Sequence, residues 1–170
     1  MQHIIQGFRE ALILLTNFDP ETISIIALSF RVSLTATILG AVFCIPAGVV
    51  LGITKFKGKR GFGRLLFTLM STPSVSVGLM VVLVISRNGP LGFTNLLYTP
   101  EAMIIAQTLL VAPLILGLSF SMARQQGKRI DDVGKTWGAG RMRRILLVIR
   151  ELRSECLAHT MTAFSRAISE

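Results

Sequence analysis

The side chains of this chain that could do chemistry are few, and they do not converge. Asp131 and Asp132 are adjacent carboxylates, but no further acid or base completes a general acid–base pair. Cys44 and Cys156 stand alone, without the paired spacing of a metal or thiol–disulfide motif. His3 and His159 have no ligand cluster around them, and His159 sits in an apolar stretch, the usual setting of a packed or hydrogen-bonded imidazole. No Gly-rich loop ending in Gly-Lys-Ser/Thr offers a cradle for ATP phosphates. What remains is neutral: Ser71, Thr72, Ser74 and Ser76 around Pro73, and Gln107 with Thr108. Hydroxyls and a proline weaken a regular helix and are tolerated in apolar surroundings where they line a cavity or pack on protein. Gln107 has two readings, lining a polar path or bonding a neighbouring helix. These residues carry no enzyme signature.

The elements that must hold them are apolar. Of the 170 residues, 51% are hydrophobic and 16% charged, against roughly 25% charged in a soluble domain. Mean hydropathy is +0.63. Disorder is excluded by this balance. Three stretches hold no charge: Val32 to Thr54, Leu65 to Ser86 and Ala102 to Ala123. Each meets the ~20 residues that a helix needs to cross a bilayer core. The expected fold is therefore all-α, a polytopic membrane bundle with three complete spans.

The net charge of +9 reports topology and does not point to nucleic acid, for no aromatic interleaving or nucleic-acid module accompanies it. The loop after the first stretch carries Lys55, Lys57, Lys59, Arg60 and Arg64 without an acid, and the segment after the third is again basic. Basic loops stay on the cytoplasmic side, where they also meet anionic membrane lipids. Two spans separate these loops, so both fall on one side, and the single span before the first of them puts the N-terminus outside.

Met1 to Phe18 has apolar residues at helical spacing and reads as an outer, interfacial amphipathic helix over residues 1–18. The membrane domain then covers 20–170. Pro20 at a first helical position predicts a long helix to Thr54, with a kink at Pro46. Ala36, Gly40, Cys44, Gly48 and Gly52 recur four apart, a row that lets another helix approach closely. The loop 124–155 is polar and basic, and Cys156 to Ser165 is uncharged again before Arg166. That last stretch reads as a partial fourth span, too short to cross as a helix.

The most specific run is Asp132-Val133-Gly134-Lys135-Thr136-Trp137-Gly138-Ala139-Gly140, with Val148-Ile149-Arg150-Glu151 beyond it. It resembles the cytoplasmic signature of permease subunits of bacterial ABC importers, Glu-Ala-Ala, three residues, Gly, nine residues, Ile-x-Leu-Pro. Asp132 takes the Glu place, Val133 and Gly134 the Ala places, Gly138 the Gly place and Val148 the Ile place. Ser86 to Gly92, Tyr98-Thr99-Pro100, Ala102 to Gln107 and Phe164 to Glu170 are similar to the tungstate importer subgroup, with the molybdate permeases sharing the architecture. The likeness runs from about Leu12 to Glu170. The chain departs from it in keeping one proline, Pro73, where the family commonly has a pair, and in stopping inside the fourth span; a truncated, non-transporting fragment is the alternative expectation.

The resemblance implies a bacterial inner-membrane, multi-pass subunit that imports an oxyanion, tungstate or molybdate. It implies a partner ABC ATPase that holds the ATP, no cofactor in this chain, an extracytoplasmic oxyanion-binding protein, and a second permease copy, for which the small-residue row is a further reason. Ile130 to Trp137 is expected as a short helix parallel to the membrane, ended by Gly138, with Asp132, Val133, Gly134, Trp137, Gly138, Ala139 and Gly140 docking the ATPase. Ser71, Thr72, Pro73, Ser74, Ser76 and Gln107 are the pathway candidates, since neutral donors hold an oxyanion without trapping it.

Overall fold

Pro20 opens a helix of 34 residues, α1 (Pro20–Ile53), in the computed structural model, which describes residues 20–87 and 89–170. The helix expected over residues 1–18 lies outside them. At 1.5 Å per residue α1 is about 50 Å long, and it runs through Pro46 without interruption. Its orphan C-terminal carbonyls are taken by Lys59, whose Nζ donates to Gly52 O and, at 2.9 Å, to Thr54 O. A cation at a helix C-terminus also opposes the helix dipole.

The partner of α1 is α4 (Pro100–Met122), capped by the Thr99 hydroxyl with Pro100 in its first turn. Their contact is the most extensive between elements. The small-residue row makes it possible. A Cβ added at Gly48 would lie 2.8 Å from Ser119 Cβ and 2.9 Å from the Leu116 carbonyl oxygen, and one at Gly52 would lie 2.5 Å from Ala123 Cβ. Ala36, Gly40, Gly48 and Gly52 are all buried. The row is consumed inside the chain, so it gives a second copy nothing to pack on.

The expected second span, Leu65 to Ser86, is not one helix. Two twelve-residue helices, α2 (Lys59–Met70) and α3 (Ser74–Ile85), meet at 92°. Each covers about 18 Å, short of a bilayer core. The break falls at Ser71-Thr72-Pro73. Pro73 has no N–H to continue the ladder and disfavours helical geometry at Thr72. Ser71 and Thr72 close the end of α2 with tight bonds to the Thr68 and Leu69 carbonyls, both 3.1 Å.

After α4 the backbone does not leave the helix. Ala123–Gly127 form one π turn and α5 (Lys128–Thr136) follows at once, a helical run of 37 residues from Pro100. The expected separate helix parallel to the membrane is instead a continuation of α4. α6 (Arg141–Glu151) and α7 (Arg153–Ser169) complete the described chain, and no strand occurs among the described residues. Two helices, α1 and the run from Pro100, are long and apolar enough to cross a membrane.

Two apolar clusters join these pieces. Val49, Met122, Ala123, Val148, Leu152 and Cys156 tie the α1 and α4 ends to α6 and the start of α7. Val111, Leu114, Ile115, Ala163 and Ala167 tie α4 to the rest of α7. Outside them, large apolar side chains face outward, among them Phe43 (70% exposed), Val75 (80%) and Met80 (70%), which is the surface of a chain whose solvent is hydrocarbon.

Candidate functional site

Gly138 ends the signature helix as expected. It has φ +68°, and the Ala139 and Gly138 amides donate to the Gly134 and Lys135 carbonyls, both at 3.0 Å. This paired 6→1 and 5→2 closure is the Schellman motif, which favours glycine because a Cβ is strained in left-handed backbone. Trp137, just before it, is 81% exposed, and Val133, one turn back, is 48% exposed. An aromatic ring held out on a rigid helix end is the form of a docking anchor. Ala139 is half-buried and Gly140 exposed, leading directly into α6.

Gly134 lies on the opposite side of α5. A Cβ there would come 3.0 Å from Arg144 Cγ, so a small residue is needed for α5 to lie against α6. The two helices are clamped by Asp131, which is buried (4% exposed). Its carboxylate accepts from Lys135 Nζ at 2.6 Å and from Arg144 Nη1 at 3.0 Å. Asp132, the residue at the signature's acidic place, is exposed and pairs only with Lys135, at 2.7 Å. The hydrogen bond from Lys135 holds the Asp132 carboxyl below its ordinary value, and the bonds to Asp131 and Asp132 hold the Lys135 ammonium above its own.

The pathway candidates divide. Ser74 and Gln107 line one cavity of about 330 Å³ between α3 and α4. Ser71 donates its hydroxyl to its own helix at Phe67 O, 3.3 Å, and Ser76 is exposed away from the cavity. Thr72 and Pro73 form the break itself. Gln107 bonds a neighbouring helix and borders a cavity lined mainly by apolar side chains. Its Nε2 donates to the Ala167 carbonyl of α7 at 2.9 Å, while Oε1 is buried without a partner.

Three residues outside the signature's matched positions hold these elements in place. Asp131 and Arg144 form the α5–α6 clamp. Arg166, on α7, donates from Nη1 to Met70 O at 2.8 Å and from Nη2 to Thr72 O at 3.2 Å, taking the carbonyls that the α2–α3 break leaves free. Ser33 Oγ on α1 donates to Ala167 O at 3.3 Å, so α1, α4 and the break all meet the end of α7. The signal for Asp131 was its i,i+4 spacing to Lys135. For Arg166 it was the lone cation ending an uncharged stretch.

A signature helix built onto a spanning helix, beside a broken apolar pair, agrees with a family comparison. Residues 44–170 match the family described as binding-protein-dependent transport system inner membrane component. The chain belongs to that family. This permease is 54% identical over its whole length to the tungstate uptake system permease protein of Peptoclostridium acidaminophilum, covering 75% of that protein. It is 40% identical over 148 residues to a probable anion ABC transporter permease protein of Haloferax volcanii, covering 64% of it. It is 32% identical to the tungstate uptake system permease protein of Campylobacter jejuni, covering 71%. The permease is thus a membrane-embedded, non-enzymatic subunit of an ABC importer, working with an ATPase and a substrate-binding protein.

Proposed function

We propose that this permease passes a tetrahedral oxyanion of the tungstate or molybdate class across the bacterial inner membrane. The substrate class is supported by the names of its relatives, tungstate and molybdate/tungstate permease proteins. In this reading the bent α2–α3 pair counts as one broken crossing, giving three crossings with α7 as a partial fourth. The N-terminus lies outside and the two basic loops lie in the cytoplasm, against anionic lipid. ATP stays on the partner, and a second permease copy completes the pathway, to which Ser74 and Gln107 contribute neutral donors.

The observation that carries the coupling is the continuity of α4 with α5. Val133, Trp137 and Gly138 sit at the end of a helical run that begins at Pro100. A closing ATPase that grips Trp137 therefore pushes on a spanning helix directly, as a rigid-body movement. Asp132 and Ala139–Gly140 border that end, while Gly134 keeps it seated on α6.

Retention of the ATPase in detergent tests this. Trp137→Ala is expected to lower it at least tenfold with the permease still monodisperse, and Gly138→Val is expected to do so by deforming the helix end. Equal retention by wild type and both variants sinks the coupling assignment. Tungstate uptake by cells expressing the permease with its ATPase and binding protein, measured as cell-associated metal, tests the substrate; uptake no greater than in cells lacking the permease rejects it.

A further inference from the structure

Where α1 ends, α5 and α6 close over it and leave a cavity of about 590 Å³. Five cations line it: Lys55, Lys128, Lys135, Arg141 and Arg144. Two carboxylates share it, and both are already engaged. Asp131 is bound by Lys135 and Arg144, and Asp132 by Lys135. Among the described residues, Lys55, Lys128 and Arg141 have no ion-pair partner. The fields of Lys128 and Lys55 nonetheless reach Asp132, adding to the Lys135 bond in holding its carboxyl down, so these cations stand close around one space. Like charges crowded this way repel, and a doubly charged anion placed between them removes the repulsion.

We propose that this cavity binds a tetrahedral oxyanion group of the phosphate class, with Lys55, Lys128 and Arg141 as its ligands. Arg offers a planar fork to such a group and Lys a mobile point charge. The floor is Ile53 and Thr54, the end of a spanning helix, so the site opens at headgroup depth. Two sources carry this chemistry there, a phospholipid headgroup and a free anion. The inference rests on the reading above for the depth and the side of the membrane at which the cavity opens. A bound anion bridges α1 to α5 and α6, stiffening the base on which Trp137 is carried.

Direct binding decides it, without ATPase or transport. The full chain in nanodiscs of neutral phosphatidylcholine is titrated with inorganic phosphate by calorimetry. In parallel, the chain is reconstituted in phosphatidylcholine vesicles holding one fifth phosphatidylglycerol, extracted in phosphate-free detergent, and its retained lipid is read by mass spectrometry. Saturable phosphate binding assigns a free anion; selective retention of phosphatidylglycerol assigns a headgroup; either supports the site. The double variant Lys128→Gln/Arg141→Gln is expected to weaken that binding at least tenfold. Arg31→Gln/Arg87→Gln removes the same charge at exposed positions outside the cavity and outside both basic loops and is expected to stay within twofold, and Lys128→Arg/Arg141→Lys to keep binding. No saturable phosphate and no lipid selectivity in wild type overturns the proposal, as does an equal loss in both glutamine variants. If neither anion binds and the cavity variant loses only its ATPase, the cavity is a protein-docking surface and the proposal is also wrong. Failure of ATPase retention or of uptake, with anion binding intact, strikes the coupling reading alone.

Discussion

Asp131 and Asp132 are neighbours in sequence with opposite fates, and substitution should separate them. Asp131→Asn removes the charge from a buried carboxylate that accepts from both Lys135 and the partly buried Arg144. Removing one partner of a buried polar pair costs roughly 1–3 kcal/mol, so the solubilised permease should melt several degrees lower. Asp132→Asn removes an exposed pair, and its melting should match wild type; equal melting of the two variants would show that burial does not decide their weight. The Asp132–Lys135 pair also has a pH window. The Asp132 carboxyl is held below its ordinary 3.8, so its contribution is present above that value and lost as pH falls through the lower folded value. Lys135 is held above its ordinary 10.5, so its contribution is present below that value and lost as pH rises through the higher folded one. Trp137, the one tryptophan, lies two residues from Lys135 and reports the helix end. Its fluorescence anisotropy should be flat from about pH 5 to 9 and change only outside that window; a transition near neutrality would place the control elsewhere.

At the level of elements, the α2–α3 break depends on an arginine from a different helix. Arg166→Gln withdraws the charge and the forked donor from Met70 O and Thr72 O. Spin labels at Ser76 and Thr162, both exposed, should then give a broader distance distribution between α3 and α7, with Arg166→Lys intermediate because an ammonium keeps the charge but lacks the planar, pre-organised fork. Unchanged distances in Arg166→Gln would mean that Pro73 alone fixes the bend. The same break marks the limit of what sequence could say. The long α1, the apolar span within Ala102 to Ala123 and the Gly138 stop were legible because length, a first-turn proline and glycine act locally. Pro73 and its hydroxyls announced weakness, but a 92° turn is set by what accepts the freed carbonyls, and Arg166 lies far along the chain. Gln107 was undecidable for the same reason, since its amide meets Ala167 only in three dimensions. The continuity of α4 into α5 was hidden by composition: Arg124 to Gly127 reads as loop, yet one π turn carries it.

For the molecule as a whole, the contact that builds the chain must be distinguished from any contact between copies. Gly48 and Gly52 are spent on α4, at separations that leave no room for a side chain. Gly52→Leu should therefore abolish the monodisperse folded chain, since overpacking against backbone has no flexible neighbour to yield. A second copy must use another face. If the oxyanion passes between copies beside the bent pair, α3 has to face the partner with its outward side, marked by Leu79 and Leu83, 59% and 62% exposed, about half a turn round the helix from Ser74 on the cavity side. Phe43, on α1, is 70% exposed and is then left to lipid. With Cys44 and Cys156 replaced by alanine, Leu79→Cys and Leu83→Cys should form disulfide-linked pairs in membranes on mild oxidation, and Phe43→Cys should not. Cross-linking only through Phe43→Cys would turn the outward side of α3 toward lipid and leave the cavity between α3 and α4 within one chain, which Ser74 and Gln107 line, as the route of the anion.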